Sequence, residues 1–326
     1  MNQKKNYNWG IIGCGKIAHK FAEDLKKVPG AVLFAVASRS LKKAKDFGEL
    51  HNVFTCYGSY EELTHNPEVD VIYIATPHVF HSENTLMCIQ NKKATLCEKP
   101  FAMNLYQVEE MILAAKKNST FLMEALWTYF LPHYEYALDI IASKKLGNVV
   151  KLKADFGFDS AFNPESRLFN KKLGGGSLLD VGIYPLFAAL TTLGYPDKIE
   201  ATASFSKTGV DEQCNVLLTY KNNVEASLHS SITKETNTEA IIELEKGTIT
   251  INSRFHEPSS VTITQNGIST LHKFPVDTNG YSYEAIHVQK MLQQGNTEST
   301  IMSFEKSVQL IRLLDTVREK IDLHYD

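Results

Sequence analysis

The sequence predicts an α/β protein: an N-terminal, doubly wound parallel sheet followed by an α+β domain built on a mostly antiparallel sheet. Three observations carry this. Up to about Glu124, short apolar runs alternate with amphipathic stretches, the rhythm of β-α-β units. A glycine-rich turn, Gly13-Cys14-Gly15, joins the first apolar run to the first amphipathic stretch. After Trp127 the rhythm changes, and the later segments alternate with period two, which marks a sheet with one face on a core and one polar face. At 326 residues the chain exceeds what one hydrophobic core organises, so we divide it into domains at 1–125 and 126–326.

In order, the expected N-terminal strands are Trp9 to Ile12, Val32 to Ala37, Val71 to Ala75, Ala94 to Cys97 and Thr120 to Met123. Their near-continuous apolar character implies a parallel sheet covered on both faces. Between them lie the helical stretches Lys16 to Lys27, Leu41 to Leu50, His81 to Gln90 and Leu105 to Lys117, the last with an N-cap at Asn104. The second half opens with a helix (Pro132 to Ser143), a strand (Val149 to Phe158), a glycine-rich loop and a helix (Ser177 to Leu193). Strands over residues 199–205 and 224–232 follow, with Thr202, Ser204, Ser227 and His229 on their polar face. Glu239 to Leu244, Thr248 to Asn252 and Val261 to Gln265 extend this sheet, and helices at Tyr283 to Gln293 and Phe304 to Ile321 close the chain.

Composition narrows the function classes. A hydrophobic fraction of 43% with 22% charged residues is globular, and a net charge of -3 supplies no field for polyanions, so nucleic acid is not an expected partner. Cys14, Cys56, Cys88, Cys97 and Cys214 form no C-x-x-C pair and read as reduced packing residues. The start, Met1 to Lys5, is basic but lacks a cleavage pattern, and no unbroken apolar run of membrane-spanning length is evident. The expectation is a cytoplasmic enzyme with no membrane partner.

Gly13-Cys14-Gly15-Lys16-Ile17-Ala18 fits G-x-G-x-x-G/A, the fingerprint of a Rossmann dinucleotide-binding domain. Gly13 permits the tight turn, Gly15 lets a pyrophosphate approach the backbone at a helix N-terminus, and Ala18 keeps the helix close to the strand. An NAD site places Asp or Glu at the end of the second strand. This sequence has Ser38-Arg39 there, followed by Lys42 and Lys43. Arg offers forked donors to phosphate oxygens, so the reading is NADP (NADPH). The alternative is that these cations are a solvated helix start.

The third expected strand ends in Thr76-Pro77-His78, with His81 three residues later, at the edge where doubly wound sheets bind ligands. His78 or His81 is a candidate for the nicotinamide ribose or the substrate, or equally a surface histidine. Glu98-Lys99-Pro100 follows the fourth strand, which aims Lys99 into the cofactor crevice. In isolation a lysine turned to solvent is the simpler reading.

The fingerprint at Gly13, Glu98-Lys99-Pro100, Met123-Glu124-Ala125 and Asp180-Val181-Gly182-Ile183-Tyr184 together resemble the glucose-fructose oxidoreductase, inositol dehydrogenase and rhizopine catabolism (Gfo/Idh/MocA) family, in this order and over nearly the full chain. Tyr57 to Leu63, Leu96 to Pro100, Phe121 to Trp127 and Leu178 to Tyr184 look most like its dimeric dihydrodiol dehydrogenase and NADP-dependent D-xylose dehydrogenase branch. The resemblance implies that Lys99 is catalytic, that the bond before Pro100 can be cis, that the C-terminal sheet is open, and that homodimers or higher homo-oligomers form through it.

Asp180 and Tyr184 are four apart in a helical stretch, so both project from one face. Brought against Lys99 they make a proton-transfer set, with Tyr184 or Lys99 as the main acid/base and Asp180 orienting the substrate hydroxyl or holding Lys99 charged. Much of the family carries His where this chain has Tyr184. Trp127, Tyr129, Phe130, Phe156 and Phe158 are candidates for an aromatic wall at the substrate, Trp127 first among them. Cofactor contacts are expected from Gly13, Cys14, Gly15, Lys16, Ile17, Ser38, Arg39, Thr76, Pro77, His78, Glu98 and Lys99, and substrate contacts from His81, Trp127, Phe156, Asp180 and Tyr184. The expected activity is hydride transfer between NADP and the CH-OH group of an aldose, polyol or trans-dihydrodiol. Competing readings are an NAD-dependent inositol or sugar dehydrogenase, a glycosidase with tightly held NAD, and a non-catalytic NADP-binding sensor.

Overall fold

The computed structural model describes residues 6–325, so Met1 to Lys5, read above as a basic start, lie outside the described residues. The chain divides into two compact units. The first runs to Trp127 and takes in Asp277–Val308; the second is Thr128–Val276 with the chain from Gln309 onward. The first crossover falls after Trp127, and residues 277–308 group with the first unit. The reason lies in Asp24.

The first unit contains β1 (Tyr7–Ile12), α1 (Lys16–Leu25), β2 (Ala31–Ala37), α2 (Leu41–His51), β3 (Thr55–Tyr57), α3 (Tyr60–His65), β4 (Val71–Ile74), α4 (His81–Gln90), β5 (Ala94–Glu98), α5 (Leu105–Asn118) and β6 (Leu122–Ala125). Its sheet has the order β3-β2-β1-β4-β5-β6, all pairs parallel. The order reverses between β1 and β4, which is where a doubly wound sheet opens its ligand crevice. Phe21 of α1 stacks on Tyr73 of β4 at 3.8 Å with no exposed surface; burying such a phenylalanine contributes about 1.5–3 kcal/mol. Asn104 caps α5 as expected, its Oδ1 accepting from Gln107 N at 3.0 Å.

Asp24, 2% exposed on α1, accepts main-chain N–H bonds from Asn279 (2.8 Å), Tyr281 (2.8 Å) and Ser282 (3.3 Å). It therefore satisfies the N-terminus of α8 (Ser282–Gln293), which has no side-chain cap of its own. A buried carboxylate without those donors would be costly. That pairing fastens α8 to the first unit across more than half the chain.

The second unit contains α6 (Pro132–Ala142), β7 (Val149–Gly157), α7 (Ile183–Leu193), β8 (Lys198–Phe205), β9 (Asp211–Thr219), β10 (Glu225–Ser231), β11 (Ala240–Leu244), β12 (Gly247–Ile251), β13 (Ser260–Gln265) and β14 (Ile268–Lys273); α9 (Phe304–Lys320) closes the chain. Its sheet runs β14-β13-β12-β11-β7-β10-β9-β8, antiparallel except for β7 against β10. Helix α7 packs on β7 and β10, and α6 on β12 and β13. Across the sheet, Thr202 and Ser204 are exposed and Ser227 and His229 half-buried, as the alternation predicts.

The sequence reading missed β3, α3, β9 and β14. The first two are only three and six residues long. β9 opens on the polar residues Asp211, Glu212 and Gln213, and β14 is an edge strand exposed at five of six positions. The helical stretch Lys171–Leu193 contains a window of mean hydropathy 1.4, long and apolar enough to cross a membrane by length and composition although it is not an unbroken apolar run; 94% of that window is buried inside the protein. It is the core helix of the second unit.

Candidate active site

In the first unit, residues of the nucleotide fingerprint cluster at the carboxyl ends of β1, β2 and β4. Gly13 has φ +93°, and a Cβ there would lie 2.8 Å from the Ala75 carbonyl oxygen. Only glycine lets the β1–α1 turn pass this close to β4. By contrast, a Cβ on Gly15 would meet nothing within 4 Å. Helix α1 opens there without a side-chain cap and without an acid in its first turn. Lys16 is exposed and Ile17 half-buried beside it. An open face over helical N–H groups fits a pyrophosphate. Burial, and then Cys56, pushes the Cys14 thiol up to about 11, so it contributes as a neutral group whose Sγ faces the Ala37 carbonyl at 3.7 Å.

At the end of β2, Ser38 is buried and Arg39 exposed. The guanidinium lies 5.3 Å over the Phe80 ring, and its charge draws back the Tyr60 hydroxyl, which burial pushes up. Ser40 caps α2, its Oγ accepting from Lys43 N at 3.4 Å. Thr76, Pro77 and His78 occupy the turn after β4, with Thr76 Oγ1 accepting from Asn84 Nδ2 at 3.0 Å and His78 only 6% exposed.

Two of the expected contact residues make bonds inside the first unit. His81, expected at the substrate, has no exposed surface, and its ring nitrogens lie 2.8 Å from the carbonyl oxygens of Thr76 and Pro100. It ties the turn after β4 to the turn after β5. Glu98, expected at the cofactor, turns inward: Oε1 accepts from the Tyr73 hydroxyl and Oε2 from the Lys99 N–H at 3.1 Å. Lys99 follows directly, half-buried, joined to Pro100 by a cis bond. Trp127, expected to line the substrate, stacks flat on Tyr281 at 4.2 Å.

Buried acids surround this segment. Glu124 accepts from Phe101 N at 3.0 Å, and burial pushes it up to about 7, while the Lys99 charge is among the groups that pull it back. Glu284, fully buried on α8, is pushed well up by burial and then by Glu98 and Asp24.

In the second unit, the helical stretch carrying Asp180 and Tyr184 begins as a π turn over Leu178–Gly182 and continues as α7. Its start is held by Asp211 of β9, whose Oδ2 accepts from Ser177 Oγ and Leu178 N, both at 2.7 Å. Burial pushes Asp211 up to about 7 against those bonds. Gly176, at φ +121°, is required because a Cβ would collide with Asp211 Oδ1. Asp180 pairs with Arg167 at 2.7 Å, so within its own unit the cation it holds is Arg167. Tyr184 is 6% exposed and lies 5.7 Å from Phe156 and 5.0 Å from His256, ring to ring. Phe156 is thus grouped with Tyr184. Arg167, His256 and Glu284 lie outside the motifs read from the sequence, and Tyr60 lies within the Tyr57 to Leu63 stretch.

A doubly wound sheet with this fingerprint defines a dinucleotide-binding domain. The chain belongs to the Gfo/Idh/MocA family: the model of the oxidoreductase family with NAD-binding Rossmann fold matches residues 7–126, and that of the GFO/IDH/MocA C-terminal domain matches residues 134–250. It is 39% identical over 329 residues to trans-1,2-dihydrobenzene-1,2-diol dehydrogenase of Xenopus laevis, covering 97% of this chain and 98% of that one. The human enzyme of the same name is 35% identical over 327 residues, covering 97% of each. Among solved structures, a 3-ketoreductase from Actinomadura kijaniata in complex with NADP and TDP-benzene shares the fold at TM-score 0.88 and 24% identity, over 97% of this chain and 98% of that one. The aldose-aldose oxidoreductase from Caulobacter crescentus complexed with glycerol does so at TM-score 0.89 and 24% identity, over 98% of each.

Proposed function

We propose that the protein is an NADP-dependent dehydrogenase that moves a hydride between the nicotinamide and a CH-OH group of a trans-dihydrodiol, aldose or polyol. The observation that carries the cofactor half is the end of β2, where an exposed Arg39 stands on Phe80 in place of an acid. A carboxylate there would repel a 2'-phosphate; a guanidinium held in place accepts it with forked donors. The substrate class is supported by the near full-length likeness to dihydrodiol dehydrogenases, with the aldose-acting enzyme of the same fold extending it to sugars.

Bound NADP would supply the hydride acceptor at its nicotinamide. The chain supplies the proton chemistry. Tyr184 or Lys99 takes the proton from the substrate hydroxyl, and the Lys99 ammonium stabilises the developing alkoxide. Asp180, paired with Arg167, orients the substrate hydroxyl from the turn before Tyr184. The backbone of Gly13 to Ile17 holds the pyrophosphate, and Ser38 and Arg39 the 2'-phosphate.

Titration of NADP and NAD into wild type and Arg39→Ala tests the cofactor reading. Wild type is expected to bind NADP at least about tenfold tighter, a difference of about 1.4 kcal/mol that one charge-assisted contact supplies. Arg39→Ala should lose the preference, and equal affinities in wild type would refute it.

A further inference from the structure

We propose that Tyr325 is a positioning residue for Asp180: its hydroxyl fastens the glycine loop whose far end places Arg167 against the Asp180 carboxylate. This rests on the assignment of Asp180 to orienting the substrate hydroxyl made above.

All the groups involved lie in the second unit. Helix α9 runs out into a left-handed residue, Asp322 at φ +55°, and the main chain closes around it. Leu323 N donates to the Arg318 carbonyl at 2.9 Å, and Asp322 N to that of Glu319 at 3.3 Å. This pair of bonds fixes the direction in which the chain leaves the helix. Leu323, 2% exposed, anchors the exit in the core, and two residues on the Tyr325 ring lies 5.4 Å from the Arg318 guanidinium. From there the Tyr325 hydroxyl donates to the Gly175 carbonyl at 2.6 Å.

Gly175 is where the loop from Arg167 to Gly176 closes on itself. Gly176 N donates to the Leu168 carbonyl at 2.9 Å and Gly175 N to that of Asn170 at 3.1 Å. The two arms are so close that a Cβ on Gly175 would lie 2.6 Å from the carbonyl oxygens of both Arg167 and Leu168. A shift of Gly175 is therefore passed to the Arg167 main chain, and the Arg167 guanidinium holds Asp180 at 2.7 Å. Three successive glycines, Gly174 to Gly176, have the largest backbone entropy to lose on ordering. The bond from Tyr325 comes from outside the loop and offsets part of that loss. Asp211 secures the other side of the closure, accepting from Ser177 and Leu178, and Gly176 faces both Asp211 Oδ1 and the Tyr325 hydroxyl. Asp211 thus fixes the turn on which Asp180 stands, and Tyr325 fixes the loop that carries its cation.

The experiment uses the full chain as wild type, Tyr325→Phe, Asp180→Asn and the double variant. Tyr325→Phe keeps the ring against Arg318 and removes only the donor. Two quantities are read: limited trypsin cleavage after Arg167, Lys171 and Lys172, mapped by mass spectrometry, and kcat/KM for oxidation of a trans-dihydrodiol with NADP. Near-UV circular dichroism and NADP affinity, both expected to match wild type, show that Tyr325→Phe is folded. Tyr325→Phe is expected to be cut in the loop several-fold faster and to lose about five- to tenfold in kcat/KM, the scale of one hydrogen bond. In the Asp180→Asn background the same substitution should still speed cleavage but change kcat/KM by less than about twofold, because its effect runs through Asp180. Unchanged loop cleavage in Tyr325→Phe overturns the proposal. So does a kcat/KM loss of the same size with and without Asp180, which would leave Tyr325 a support of the fold alone. The underlying assignment fails separately: if Asp180→Asn keeps wild-type kcat/KM, both fall, whereas an impaired Asp180→Asn with an unaffected Tyr325→Phe removes only the role of Tyr325.

Discussion

Lys99 and Tyr184 differ in how the chain presents them. Lys99 stands one residue beyond β5, between a Glu98 that grips its N–H and a Pro100 whose carbonyl is tied to His81. Tyr184 sits in the second turn of a helical stretch whose first turn is held by Asp211. Groups fixed this way lose little entropy on reaching a reacting atom. Lys99→Met and Tyr184→Phe should each lower kcat by roughly 10² or more. NADPH affinity should change far less, and the double mutant should lose less than the two effects combined. Stopped-flow hydride transfer makes the measurement. A Tyr184→Phe enzyme with near-normal turnover would leave Lys99 as the sole proton carrier.

At the scale of elements, α8 is fastened to α1 by a carboxylate and carries another into the core. Glu284 is pushed up by burial first and then by Glu98 and Asp24, so the folded chain keeps a proton that the unfolded chain releases above about pH 4.3. Stability therefore falls as pH rises from that point toward the raised folded value, at a slope of up to about 1.4 kcal/mol per pH unit. Glu124 and Asp211, each pushed up to about 7, act in the same sense. Glu284→Gln removes one of the three contributions. Its unfolding midpoint should exceed that of wild type at about pH 8 and approach it near about pH 4. A variant that tracks wild type across that range would mean that Glu284 does not carry this burden.

For the whole molecule, we propose self-association through the polar face of the second sheet. Thr202, Asn215, Ser227 and His229 line a depression of about 710 Å³ there. A sheet face with mixed polar and apolar groups and a concavity of this size suits a second copy of itself. Light scattering at micromolar concentration is expected to report a dimer or larger species, and Ser227→Lys with Thr202→Glu should dissociate it. A wild-type monomer at that concentration would remove the idea.

Much of the architecture was legible because its causes are local. The turn at Gly13 needs a positive φ, α5 needs a cap at Asn104, and the strands of each sheet carry the apolar pattern of their own burial. The positions of Lys99 and Arg39 just beyond β5 and β2, and of Tyr184 four residues after Asp180 in a helical stretch, were legible for the same reason. Tertiary structure alone decided the rest. The return of residues 277–308 to the first unit depends on Asp24 meeting main-chain groups about 255 positions away. The inward turn of His81 and Glu98 depends on which carbonyls and hydroxyls the neighbouring strands bring up to them. His256 becomes a neighbour of Tyr184 only because β7, α7 and the turn after β12 converge. A short-range pattern records what a residue needs from its own helix or strand; partners supplied by a distant segment leave no periodic trace in the sequence.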